Sequence, residues 1–303
     1  MLDPPVAPGR FAVVRAPSGL GLRAAGVEGL GDALLGHGLA RALDARIAAI
    51  VAPPAASGIR DPESGVLNAR EVAAYGVALA DAVGAVLDVG EVPLVLGGDC
   101  SVLLGGTLAL RRRGGGGLLF LDGHADFYQP SAEPSGEAAS MDLALATGYG
   151  PPAVGDLEGR APLVRAEDAV VAGFRDLEEQ EREGSQPLPS TLLAFDLAAV
   201  RAAGAPAAAA RAVARLTRPG APQQFWVHVD ADVLDDAVMP AVDYRQPGGL
   251  SPDELATVLA VAIATGHVAG VEVTIYNPAL DPDGTAGAAL TDVLVSGLGR
   301  AAS

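Results

Sequence analysis

The sequence predicts an α/β domain with a mostly parallel, doubly wound sheet. Two observations carry that expectation. Short β-branched or apolar runs alternate with longer Ala/Leu-rich stretches of helical character, the pattern of a sheet covered by helices on both faces. In addition, no repeat of fixed period and no Gly/Ser-rich linker divides the 303 residues, so residues 1–303 read as a single domain.

The elements follow in order. Strand 10–15 (RFAVVR) leads to an Ala/Leu-rich helix at 29–43, and strand 45–51 (ARIAAIV) to a long Ala/Val-rich helix at 69–89. The apolar run 92–96 (VPLVL) is a strand followed by helix 101–113, whose three closing arginines suit the negative end of its dipole. GGGG at 114–117 is a tight turn into strand 118–122 (LLFLD). Strands at 169–173 (AVVAG) and 191–196 (TLLAFD) precede a helix at 205–216. The series closes with strand 224–230 (QFWVHVD), helix 252–264, strand 270–276 (GVEVTIY) and helix 284–298.

Half of the residues are hydrophobic and the formal net charge is −17. That balance argues against nucleic acid or an anionic membrane as the main partner. All 20 basic residues are arginine, which excludes a lysine Schiff base and a Walker-type phosphate lysine. Cys100 is the single cysteine, so neither an intrachain disulfide nor a CxxC site is available. The start, MLDPPVAPGRFAVVRAP, does not read as a signal peptide. No apolar run approaches the ~18 residues of a membrane span, and a cytoplasmic protein is expected.

Parallel sheets bind ligands beyond the carboxyl ends of their strands. Four strand ends here carry unusual chemistry. LLFLDGHADF places Asp122, His124 and Asp126 at i, i+2, i+4, so an extended backbone points all three the same way. FWVHVDADVLDD repeats the spacing with His228, Asp230 and Asp232. GGDC holds Cys100, and VEVTIYNP sets Glu272 inside an apolar strand. A lone DxD usually caps a helix or begins a turn, and a lone strand histidine is usually structural. Two such sets in one crevice are different, because the carboxylates would repel and take up protons unless a cation neutralised them. A pair of divalent metals bridged by carboxylates resolves the conflict. Oxygen-rich ligation with one or two nitrogens suits Mn²⁺, and such a centre activates water for attack on an electrophile.

The order GGD-x-S, D-x-H-x-D, then D-x-D followed by PGGLS and an E-V strand resembles the arginase–agmatinase (ureohydrolase) family. APSGLGLRAAGVEGLGDAL (16–34) is similar to that family's N-terminal loop, and AGFRDLEEQE (172–181) to its Gly-Leu-Arg-Asp segment. The resemblance implies a three-layer αβα fold that hydrolyses a C–N bond of a small guanidino compound, with Mn²⁺ as the usual metal. By position, Asp122 and Asp230 would bridge two metals through which a hydroxide attacks. His124 and Asp232 would complete one site, and Asp126 the other. Asp126 would also pass the proton to the leaving amine. Glu272 would pair with the guanidinium, and Glu178 falls where the family often has an acid near the amino end of the substrate. A homo-oligomer, trimer or hexamer, is implied as well.

The chain also departs from that pattern. Cys100 replaces the metal-ligating histidine of GGDH, and Ala139 stands where many arginases carry a proton-shuttling histidine. Glu137 occupies the place of an amide that holds the substrate's α-carboxylate, which makes free L-arginine in its usual pose doubtful. Tyr244 and Arg245 replace a small Thr-Pro pair. For Cys100 three readings stand: nucleophile, metal ligand and non-ligand, with ligation preferred. A thiolate there would draw Zn²⁺ or Fe²⁺ in place of Mn²⁺. His228 shares the face of Asp230 and could replace the missing shuttle, although a hydrogen-bonded structural role has more weight. Formimino or ureido hydrolysis on the same fold, and a catalytically silent, oligomer-forming member, remain the alternatives.

Overall fold

A computed structural model describes residues 10–299; the ends of the predicted domain, 1–9 and 300–303, lie outside the described residues. Eight strands form one sheet: β1 (Phe11–Arg15), β2 (Arg46–Ile50), β3 (Val92–Leu96), β4 (Gly117–Leu121), β5 (Ala169–Ala172), β6 (Leu193–Phe195), β7 (Phe225–Asp230) and β8 (Val268–Thr274). Their order is β2-β1-β3-β8-β7-β4-β5-β6, and every pairing is parallel. The last two strands therefore insert at the centre, between β3 and β4.

Successive strand residues feed two separate cores, as expected for a parallel sheet covered on both faces. Leu94, Leu119 and Val227 pack on the side of helices Leu30–Gly36, Ala205–Leu216, Pro252–Ala264 and Thr285–Leu298. Val95, Phe120 and Trp226 pack on the side of helices Ala69–Asp88, Leu103–Arg112 and Asp142–Thr147. The three-layer αβα expectation is met.

Several boundaries differ from the sequence reading. The helix expected over 29–43 is interrupted by Gly38, whose φ of 90° ends one helix and begins Leu39–Ala42. Short helices at Asp142–Thr147, Pro152–Gly155, Leu177–Glu183 and Leu197–Ala203 were not foreseen, each being four to seven residues long. Strand β8 begins two residues earlier than expected and ends at Thr274, because Ile275 turns away with φ 71°. Among the described residues no helix is long and apolar enough to cross a membrane.

Candidate metal centre

Strand alternation builds the site in two tiers. Phe120 and His228 are register partners across β4 and β7, as are His228 and Glu272 across β7 and β8. The three side chains therefore stand side by side on one face of the sheet. Two residues further along, the same face carries Asp122, Asp230 and Thr274 at the carboxyl ends of the strands.

Cys100 joins the upper tier from the turn after β3. Its Sγ–H donates to Asp230 Oδ2 at 2.9 Å and lies 3.4 Å from Thr274 Oγ1. That turn is held by Asp99, which accepts from Ser101 N at 2.9 Å, Gly21 N at 3.1 Å and Ser18 Oγ at 3.4 Å. Gly98 is required because a Cβ there would overlap the carbonyl of Ser18. The loop similar to the family's N-terminal segment is thereby fixed against the centre.

The second cluster comes from the turns after β4 and β7. Asp122 Oδ1 accepts from His124 N at 2.7 Å, Asp230 Oδ1 from Asp232 N at 2.7 Å, and Asp232 Oδ1 from Gly123 N at 2.8 Å. Each carboxylate thus has one oxygen fixed by backbone. His124 Nδ1 lies 2.8 Å from Asp232 Oδ2 and 3.8 Å from Asp122 Oδ1. Arg175 locks the surrounding loops by donating from Nη2 to the carbonyls of Asp232 and Gln246, both at 2.9 Å, and from Nε to that of Pro247 at 3.2 Å.

Among the described residues three sets of donors converge closely enough to hold a cation. Within each of Asp122/His124/Asp232, Cys100/Asp122/His228/Asp230 and Cys100/Asp126/Asp142, the donor atoms lie within 4.8 Å of one another. Asp122 Oδ2, Asp142 Oδ2 and His228 Nε2 are buried without a hydrogen-bond partner among the described residues. Donors of this kind, hard oxygens with an imidazole, fit a divalent cation. Asp142 and His228 are additions to the expected ligand set. The sequence reading gave no signal for Asp142, which the structure places in the first turn of a short helix, where an acid is ordinary.

The electrostatics record the crowding. Burial and the neighbouring carboxylates hold Asp122, Asp142 and Asp230 well above the ordinary carboxylate range. Burial, reinforced by Asp232 and Asp176, pushes Asp126 up to about 8. His124 is opposed by its own burial, yet Asp232 and Asp126 raise it to about 10. Asp232, also buried, is brought down to about 2 by His124. Burial and then Asp230 push the Cys100 thiol well up, which counts against a nucleophilic role. A neutral imidazole needs no such deprotonation, so Cys100→His is expected to tighten Mn²⁺ binding about tenfold, as read by metal titration of stripped protein. Unchanged affinity would mean that position 100 does not face the cation.

A cavity of about 780 Å³ opens above the centre. Cys100, His124, Asp126, Asp230 and Asp232 line its floor, and Glu133, Glu137, Glu179, Glu183, Asp243, Tyr244 and Arg245 line its walls, along with Ala139. Glu137 is engaged on both oxygens, by Arg23 N at 2.6 Å and by Tyr244 Oη–H at 2.6 Å. Arg245 is bidentate to Asp236 at 2.6 and 2.8 Å. Glu178 is exposed and outside the lining, and the adjacent Glu179 takes that place. Glu272 is also outside the lining; it is fully buried in the lower tier, its Oε1 2.7 Å from His228 Nδ1. The structure therefore gives neither Glu178 nor Glu272 the cavity-facing place that the sequence reading expected. For Glu272 the reason is alternation, which puts it level with His228, one repeat short of the strand end.

The arginase family model matches residues 54–298. Arginase from Brevibacillus brevis is 30% identical over 214 residues, covering 70% of this chain and 70% of that protein. The solved arginase of Bacillus caldovelox shares the fold with a TM-score of 0.85 at 23% identity, over 98% of this chain and 100% of that one. Proclavaminate amidino hydrolase from Streptomyces clavuligerus has the same fold with a TM-score of 0.70 at 16% identity, over 98% and 92% of the two chains.

Proposed function

This chain belongs to the arginase family, and on that premise we propose that it is a metal-dependent hydrolase cleaving a C–N bond of a small guanidino compound with release of urea. The observation that carries this reading is the convergence of Asp122, His124, Asp126, Asp230 and Asp232 at or beside the floor of an open cavity. Two divalent cations held there, Mn²⁺ by preference and Zn²⁺ or Fe²⁺ if Cys100 ligates, would acidify water into a nucleophile at neutral pH.

The residues divide the remaining work. Asp126, protonated up to about pH 8 in the absence of metal, is placed to take a proton at its carboxylate and return it to the leaving nitrogen. The wall acids Glu179, Glu183 and Asp243 offer charge-assisted contacts to a cationic substrate. Arg245, the one arginine in that lining among the described residues, is already committed to Asp236. A substrate carboxylate would therefore meet negative charge without a free cation among the described residues. The substrate class that fits is a guanidino compound whose far end is cationic or neutral. Cytoplasmic location and assembly as a trimer or hexamer belong to the same reading.

A panel of agmatine, arginine, guanidinobutyrate, guanidinopropionate, hydroxyarginine and formiminoglutamate, scored for urea, ammonia and formamide, tests it. Urea from agmatine at a kcat/KM at least tenfold above that for guanidinobutyrate is expected. Formamide from formiminoglutamate would replace this reading with formimino hydrolysis. One observation favours a silent member, namely that the Cys100 thiol is engaged by Asp230. Purified protein that takes up no metal after Mn²⁺ incubation would support it.

A further inference from the structure

We propose that His228 is a ligand of the cation on the Cys100 side of the centre, supplying from β7 the imidazole that the chain lacks at position 100. This rests on the reading that the centre holds divalent cations. His228 is fully buried, and its two ring nitrogens have opposite circumstances. Nδ1 lies 2.7 Å from Glu272 Oε1, while Nε2 has no partner among the described residues. An Nδ1–H donated to the Glu272 carboxylate leaves Nε2 free to offer its lone pair to a cation.

What Nε2 faces is a second unpartnered polar atom. Asp122 Oδ2, also fully buried and without a partner among the described residues, is 4.0 Å away. At that distance neither group hydrogen-bonds the other, whichever of them carries a proton. A cation satisfies both at once, because two metal–ligand bonds of about 2.0–2.2 Å can span such a gap. Cys100 and Asp230 complete the set, with all four donor atoms within 4.8 Å of one another.

The rest of the lower tier supports this use. Phe120 stacks on the imidazole with centroids 4.4 Å apart and planes 9° apart, fixing the direction of Nε2. Glu272 fixes the tautomer, the usual arrangement in which a metal-bound histidine gives its other N–H to a carboxylate. Glu272 then acts as a positioning residue beneath the centre.

The test uses the full chain loaded with Co²⁺ and labelled with ¹⁵N-histidine. Two hyperfine-shifted, exchangeable imidazole N–H resonances are expected, one from His124 and one from His228. His228→Gln should remove one of them and reduce tightly bound Co²⁺ from two ions per chain to one. Glu272→Gln, which keeps the ring, should weaken the second ion by about 10–100-fold. A single shifted resonance in the unaltered protein, or the absence of bound Co²⁺, overturns the proposal. Two resonances without hydrolysis of any guanidino compound would leave it standing and remove the functional reading; hydrolysis with one resonance does the reverse.

Discussion

Asp126→Asn is expected to lower kcat on the best substrate by about 10²–10⁴-fold, the usual contribution of a positioned acid–base group. The substitution is chosen so that the fold survives it. Asp126 sits at φ 45°, in the left-handed region, where asparagine is among the few side chains readily tolerated. The amide keeps an oxygen facing the centre but cannot accept and return a proton. Metal content should therefore change less than turnover, and KM should change little. Circular dichroism, metal analysis and steady-state kinetics on the same preparation decide the matter. Undiminished kcat would remove Asp126 from the mechanism.

The second large effect concerns stability without metal. Asp126 holds its proton up to about pH 8 when folded, whereas its ordinary value is 3.8. Between those values the native chain binds more protons than the unfolded one, so stability falls as pH rises. Asp122, Asp142 and Asp230 shift in the same direction. His124, raised from 6.5 to about 10, contributes stability that is full below pH 6.5 and declines above it. Asp232, lowered from 3.8 to about 2, loses its contribution only as pH falls through 2, outside the relevant window. Stripped protein should thus melt roughly 5–10 °C lower at pH 8 than at pH 5, a difference of a few kcal/mol. Added Mn²⁺ binds the ionised acids and should raise Tm most at pH 8. A melting temperature that is flat or rising from pH 5 to 8 in stripped protein would show that the carboxylates are not coupled as described.

The parts of this molecule legible in the sequence were those set by strand periodicity. Apolar runs located every strand, and the i, i+2, i+4 acids after β4 and β7 stand where extended backbone puts them. What the sequence left hidden depended on register between strands and on short helices. Nothing in VEVTIYNP states that Glu272 lies level with His228 instead of at the strand end; only the pairing of β7 with β8 does. Glu178 and Glu179 differ by one helical position, about 100° around the axis, and only one lines the cavity. Asp142 begins a six-residue helix too short for a periodic signal. Its carboxylate meets donor atoms of Cys100 and Asp126 within 4.8 Å, and the chain brings those residues near only in three dimensions.

The strand order also has a consequence for assembly. Strands β1–β3 and β4–β6 share no pairing with each other, and the late pair β8-β7 is what joins the two halves. Cys100 belongs to the first half and Asp122, His124 and Asp126 to the second, while Asp230 and Asp232 arrive with the joining strand. During synthesis the centre is therefore closed last, by a contact such as Cys100–Asp230 that spans 130 residues. Closure over that separation is a slow, non-local step. A chain halted before β7 carries Cys100 on one unjoined sheet and Asp122, His124 and Asp126 on the other, so a complete centre is also a mark that β7 and β8 are in place.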